Sequence, residues 1–467
     1  MGALGLCLVL LTLGADASED AEAAGVKPVA EEQFTVNLGA KLEALLGTEL
    51  IGTVDQYTVT SNFVLEPGVL IQEKSHTGQV TISYVPWLLY TPAEPTQKLL
   101  FNRFLVDVQQ QLSRTLGVFL VTRVWWGQQT FSPVVNLGTP PTGGAGQGPP
   151  TVSTIPQVPN AATLDLLDTS ARFGFYILTS AVFRLDFDVG YVYSEGLNAL
   201  ARQELPLQRG PFLDAIGTLK LQAHETLLMT VRSGLLAYGP VYRPSGSNNE
   251  NGSTVLLPHY NIGLSIFGTE AGLKWQHSVN ANLSTELGAG IGVVYQSSSY
   301  DIPSFVDEDL LWLHRTPVPA TTTAYPIFGA SIRDQVPLVL QTLLLSATAA
   351  VLPIVNQFSG TVVQRLDVSA SALWGVGPNW LFEASGGMAA ALNPRQLDAR
   401  AEIRAVFQAG PHVVIAGGAR IAYLDYAIPG ALNGTSWVFF ISVAAATGKL
   451  GSAAGVSTSQ GDQGFLQ

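Results

Sequence analysis

Twenty ionisable side chains stand at alternate positions of otherwise apolar stretches, and they offer the most chemistry in this sequence. In "RLDFDVGYVY", Arg184, Asp186, Asp188 and Gly190 share one parity, while Leu185, Phe187, Val189, Tyr191 and Tyr193 share the other. The same arrangement places Arg103, Asp107, Arg123, Asp214, Lys220, Arg232, Glu270, Lys274, Glu286, Arg365, Asp367, Glu383, Asp398, Arg400, Glu402, Arg404 and Arg420 on polar faces. Ten are acidic and ten basic, so such a face can knit itself with ion pairs or line a hydrated path with little net charge.

Catalytic readings are weaker. His224, His277 and His412 fall at short connections, and the neighbours His277 and Ser278 would point to opposite faces of a strand. There is no G-x-S-x-G turn, no H-E-x-x-H and no Asp-rich calcium loop. Cys7 is the single cysteine and lies in the first apolar segment, so neither a disulfide framework nor a cysteine metal site is expected. No catalytic, cofactor-binding or metal-binding residue is assigned, and no cofactor is expected.

The elements that position these charges follow from period. Alternation of period two means β-strands with one polar and one apolar face. In a soluble protein the apolar face would be the core, whereas in an outer-membrane barrel it meets lipid and the charges turn inward. Composition favours the barrel. Only 12% of residues are charged, about half of the roughly 25% usual in soluble domains, while 47% are hydrophobic. Beyond the first residues, no apolar run reaches the length of about 18 residues that a membrane helix needs. The formal charge of -12 argues against a nucleic-acid partner.

Sixteen strands are expected, with eighteen as the accepted alternative. They are 78–90, then pairs 97–112 with 116–129, 168–178 with 183–194, 211–223 with 225–237, 262–276 with 281–296, 324–333 with 338–352, 361–374 with 380–391 and 396–408 with 412–424, then 436–446. "QYTVTSNFVLEPGVLIQEK" could supply a further pair. Short turns ("SRTLG" at 113, "AHET" at 223, "RDQVP" at 333, "AGPH" at 409) alternate with long Pro/Gly-rich connections such as 129–164 and 297–325. That parity is the barrel meander of tight periplasmic turns and long outer loops. Trp87, Trp125, Trp126, Trp275, Trp374, Trp380 and Trp437 lie near strand ends, where aromatic girdles are expected.

Four segments are expected: a signal peptide 1–17 with the A-x-A site Ala15-Asp16-Ala17, a periplasmic leader 18–55, a barrel 56–446 and a tail 447–467. No Lys or Arg precedes the apolar run of the signal segment. Within the leader, "NLGAKLEALLGTEL" could form a short helix or an early strand. The alternation, the turn parity, "ELPLQRGPFLDAIGTLKL" and "LSRTLGVFLVTRVWWGQQTFS" together resemble Gram-negative outer-membrane β-barrels, and more narrowly uncharacterised myxobacterial outer-membrane barrels. This resemblance spans residues 60–446. It implies the architecture and carries over no substrate and no catalytic residue.

The expectation is therefore an all-β, transmembrane, antiparallel up-and-down barrel in the cell outer membrane, with membrane lipid as its partner. Its function would be that of a weakly selective, porin-like channel for small solutes. The alternative is a structural or receptor barrel with a closed lumen, whose long loops bind a surface partner. Register adds a test: a charge should be tolerated at Asp188 and not at Val189.

Overall fold

A computed structural model describes residues 33–50, 57–92, 98–130, 163–198, 201–202, 207–248, 254–303, 316–338, 341–355, 362–392, 395–426 and 434–447. The strands in chain order are β1 (Gln33–Leu50), β2 (Tyr57–Lys74), β3 (Gly78–Tyr90), β4 (Lys98–Gln111), β5 (Leu116–Thr130), β6 (Thr163–Leu178), β7 (Phe183–Gly196) and β8 (Gln208–Gln222). They continue as β9 (Glu225–Tyr238), β10 (Val241–Asn248), β11 (Thr254–Ile262), β12 (Ser265–Ser278), β13 (Leu283–Gln296), β14 (Ser299–Pro303) and β15 (Thr316–Val318). The last are β16 (Thr321–Leu338), β17 (Gln341–Val355), β18 (Val362–Val376), β19 (Trp380–Leu392), β20 (Arg395–Gly410), β21 (Val413–Tyr426) and β22 (Gly434–Ala446).

Eighteen of these form one closed antiparallel barrel. β1–β9, β12, β13 and β16–β22 pair in that order, and β22 returns to β1. Each has at least 13 residues, more than the roughly 9–11 that a tilted strand needs to cross hydrocarbon. β10, β11, β14 and β15 make a separate four-stranded sheet. It is built from the two connections β9–β12 and β13–β16, which leave the barrel at the same end. Among the described residues no helix is long and apolar enough to cross a membrane.

Turn chemistry separates the two ends. At one end the connections have two to four residues. Several are closed by a Ser or Asn side chain that accepts a backbone N–H three residues on. Ser75 Oγ takes Gly78 N (3.0 Å), Ser113 takes Leu116 (3.0 Å), Ser180 takes Phe183 (3.0 Å) and Asn280 Oδ1 takes Leu283 (2.8 Å). Both β1 and β22 reach this end, where Ala446 N donates to His412 O (3.1 Å).

The accepted count of eighteen holds, and three details change. The leader assignment for 33–50 gives way to strand β1, paired with β2 along its whole length and with β22. The barrel thus begins at Gln33 rather than residue 56, and the helical alternative for this segment falls. Residues 57–74 are one strand, not a pair. "RDQVP" is also no turn: β16 runs on to Leu338, and the reversal lies at 339–340. Pairing of β16 with β13 ends at Asp334, so Pro337 sits in an overhang where one side of the strand has no barrel neighbour and a missing N–H costs little. The expected signal peptide and nearly all of the tail lie outside the described residues, as does most of loop 129–164.

Candidate functional site

The two parities of the barrel wall differ as their side chains predict. One parity carries large exposed apolar groups, including Phe34, Leu42, Val189, Leu273, Phe328, Ile403, Phe439 and Ile441. Trp380 stacks on Phe382 and Trp374 meets it at a tilt, on this face near the short turns. Tyr191, Tyr295 and Tyr423 are exposed on it toward the long connections. Trp126 stacks with exposed Tyr84 at a ring separation of 6.2 Å. Trp87 and Trp125 depart from the expected girdle, because they share the parity of Val85 and Arg123 on the opposite face.

That opposite parity holds the charges, brought together in groups. In the first, Asp188 (2% exposed) meets Arg172 at 2.5 Å, Arg172 lies 3.8 Å from Asp214 (1% exposed), and Arg232 Nε donates to Asp214 at 2.8 Å. Four neighbouring strands, β6 to β9, contribute one residue each. Arg172 also lies over the Phe119 ring, 5.7 Å from its centroid. Arg184 pairs with Asp186 at 2.5 Å, nearer the short turns, and lies over Tyr176.

A second group joins the closure of the barrel. Lys41 meets Glu43 (2.5 Å) and Glu66 (3.4 Å), Arg103 binds Glu66, and Arg420 lies 3.5 Å from Glu43 and 2.9 Å from Glu402. The Arg420 guanidinium covers the Phe440 ring at 4.2 Å. Elsewhere Arg365 meets Asp367 (2.6 Å), Arg400 meets Asp398 (2.8 Å), Arg404 meets Glu383 (3.1 Å) and Lys274 pairs with Glu286. Ser331 and Gln276 also donate to Glu286.

Three ion pairs step over an intervening strand. Arg103 on β4 reaches Glu66 on β2, Arg172 on β6 approaches Asp214 on β8, and Arg420 on β21 approaches Glu43 on β1 across β22. Neighbouring strands lie about 4.8 Å apart, so side chains two strands away meet most readily where the wall is concave. On β17 and β18 the same parity also carries hydroxyls, below the Arg365–Asp367 pair, with Ser346 to Ser371 at 2.7 Å and Thr348 to Ser369 at 2.6 Å. Above the charges, toward the long connections, the face turns apolar. Leu236, Tyr238, Leu264, Ile266 and Val294 form one buried cluster, and Leu45, Val64, Leu89, Val438 and Phe440 another.

Of the twenty expected charges, Arg103, Arg184, Asp186, Asp188, Asp214, Arg232, Lys274, Glu286, Arg365, Asp367, Glu383, Asp398, Arg400, Glu402, Arg404 and Arg420 enter these groups. Asp107 accepts from Gln109 (3.4 Å), and Lys220 is exposed at the short-turn end. Glu270 lies opposite Arg232 in the ladder, and Arg123 lies two pairings below Trp125 and Asp168, on the same face. Four members were missed: Lys41, Glu43, Glu66 and Arg172. Arg172 was legible, because "DTSARFGFY" alternates like its neighbours. Among the described residues no group of His, Cys, Asp and Glu could hold a metal ion.

Solved structures align with this chain at low identity. The copper transporter OprC aligns over 87% of this chain at 11% identity and a TM-score of 0.46, and the chain spans 63% of its length. The FrpB iron transporter from Neisseria meningitidis (F5-1 variant) aligns over 86% of this chain and 66% of its own, at 9% identity and TM-score 0.46. Pseudomonas aeruginosa OccK8 (OprE) aligns over 88% of this chain and 98% of its own, at 9% identity and TM-score 0.40. No curated protein matches the sequence. None of these comparisons bears on the narrower myxobacterial resemblance. The sequence itself is more decisive: from β5 into β20, residues 118–402 match the model of the EpsX exopolysaccharide export family, and the chain belongs to that family.

Proposed function

We propose that the barrel is an outer-membrane conduit whose lumen is lined by the charged parity, and that its cargo is an exopolysaccharide chain. One observation carries the reading of the wall. The charges of both signs lie opposite the exposed apolar parity, and they converge on one another even across an intervening strand. A closed barrel has only two faces. An exposed apolar face suits lipid, and a polar, hydrogen-bonded face suits water. Eighteen strands at about 4.8 Å spacing and roughly 40° tilt give a backbone cylinder roughly 35 Å across, wide enough for an aqueous path.

The cargo class rests on family membership and fits the wall. Ion pairs leave a polar surface with little uncompensated charge, which suits a hydroxyl-rich polymer better than a single-signed ion path. Small solutes would pass the same lumen. The sorting signal would be the expected N-terminal segment 1–17, and membrane lipid would surround the exposed apolar parity.

Purified protein in planar bilayers tests this. Discrete conductance steps with weak selectivity between anions and cations are expected. Silence under all applied voltages would refute the conduit and favour the receptor reading. For that reading the relevant feature is the four-stranded sheet formed by two long connections. In cells, deleting the gene should abolish surface exopolysaccharide while leaving the intracellular precursor pool intact.

A further inference from the structure

Resting on the conduit reading, we infer that Trp87 and Trp125 form a sugar-stacking subsite on the lumen wall, with Glu66, Arg103, Arg123 and Asp168 as the groups that hold sugar hydroxyls.

The two indoles stand on β3 and β5, on the charged parity, in the half of the barrel nearer the long connections. Phe101 on β4 stands between them. It pairs directly with Trp87 across the ladder, and its ring meets that of Trp125 edge-on at 6.4 Å. Phe101 is buried while both indoles are only half-buried, so the phenyl ring is the support and the indoles are the accessible platforms. Trp87 also packs against the apolar cluster of Leu45, Val64, Leu89, Val438 and Phe440. Rings fixed in this way lose little freedom when a ligand arrives.

Each indole has polar groups beside it. Arg103 is the cross-strand partner of Trp125 and reaches over β3 to bind Glu66. Glu66 falls opposite Trp87, because the β2–β3 register is the same on both sides, at Leu65 with Leu88 and at Val69 with Tyr84. Asp168 is the partner of Trp125 on the other side, and Arg123 stands two residues below it on the same face. A pyranose ring presents an apolar C–H face and an equatorial rim of hydroxyls. An indole suits the first, while carboxylates and guanidinium groups, as charged hydrogen-bonding partners, suit the second.

Placement in the ring strengthens the assignment. Two lower aromatic rings on this wall, Phe119 and Tyr176, are each covered by a guanidinium, from Arg172 and Arg184. Nine strands round the barrel from β4 and β5 lie β17 and β18, whose matching parity carries Ser346, Thr348, Ser369 and Ser371. The bulky wall thus faces small hydroxyl side chains, with the Arg365–Asp367 ion pair above them toward the long connections, so the facing side offers a sugar chain polar partners as well.

The test uses the full chain and the exopolysaccharide secreted by the producing strain, fragmented to short oligosaccharides. Added to a conducting wild-type barrel, the fragments should interrupt the current in a concentration-dependent way. Trp87→Ala and Trp125→Ala should each weaken the apparent affinity about tenfold. Trp87→Phe and Trp125→Phe should restore most of it, and Trp374→Leu on the other face should block like wild type. Heat-modifiable mobility on gels shows that each variant has folded. A conducting barrel on which the fragments have no effect, or equal block in wild type and both alanine variants, would overturn the subsite and leave the conduit standing. If neither the wild type nor any variant conducts, the conduit reading fails. Fluorescence titration in detergent then decides the subsite alone: quenching that is reduced in Trp87→Phe and in Trp125→Phe and lost in the double variant supports it, and no quenching in wild type, or full quenching in the double variant, refutes it.

Discussion

Replacing Asp188 by Asn should cost about 3 kcal/mol of barrel stability, and the reason lies in Arg172. Asp188 is almost wholly buried and 2.5 Å from that guanidinium. Removing one partner of a buried pair typically costs about 3–5 kcal/mol, because the other charge stays buried without compensation. Arg172 is one-fifth exposed and keeps a 3.8 Å approach to Asp214, which places Asp188→Asn at the lower bound. Arg172→Gln should cost more, since it leaves Asp188 and Asp214 side by side with only Arg232 to offset them. The double variant should lose less than the sum, with a coupling of roughly 1–3 kcal/mol. Urea unfolding from lipid vesicles, followed by tryptophan fluorescence and gel mobility, measures all four species. Additivity within about 0.5 kcal/mol would refute the pairing. The structure also reverses the expected tolerance of Asp188 to lysine. A cation there would join Arg172 and Arg232 around one carboxylate, so Asp188→Lys should assemble poorly.

Two further outcomes follow from the wall. Val189→Lys sits at the middle of β7 on the exposed apolar parity and should cost about 2–4 kcal/mol in vesicles, whereas Val189→Leu should be neutral; equal stability of the two variants would mean that this face does not meet hydrocarbon. A Cβ at Gly210 would lie 1.6 Å from Leu235 O, so Gly210→Ala should shift the β8–β9 ladder and cost at least about 1 kcal/mol, while Gly329→Ala, with open space around it, should lie within about 0.5 kcal/mol of wild type in the same unfolding assay.

Strand identity was legible wherever alternation ran without a competing signal. It was obscured in β1, although Phe34, Val36, Leu38 and Leu42 alternate cleanly with Thr35, Asn37, Gly39 and Lys41. The segment "AKLEALL" is rich in strong helix formers, and Leu42, Leu45 and Leu46 fall at helical spacing. What decides for a strand is non-local: β22 and β2 flank it, and closure of the barrel needs it. The false turn at "RDQVP" has the opposite cause. Local turn chemistry was present, but the ladder with β17 continues past it. The candidate site divides in the same way. Membership of the charged parity was readable from period two. Which acid meets which base was not, because contacts such as Arg103 with Glu66 depend on curvature that brings strands two apart together.

The pairing of charges bears directly on what such a wall can pass. A wall of one sign would attract an oppositely charged polymer at every level, and release would limit transport. A purely apolar wall would leave the hydroxyls of a sugar chain without partners, at a cost for each. Here most charges are satisfied by neighbours on the wall, as with Arg172, Asp188, Asp214 and Arg232. The partly exposed guanidinium groups of Arg172 and Arg232 stay able to exchange hydrogen bonds with a passing hydroxyl, yet the paired charges do not need the cargo for their neutralisation. Conduction requires binding that is favourable at many sites and strong at none. A self-compensated wall with a few stacking platforms meets that requirement for a hydroxyl-rich chain, and it makes selectivity for simple ions weak by the same construction.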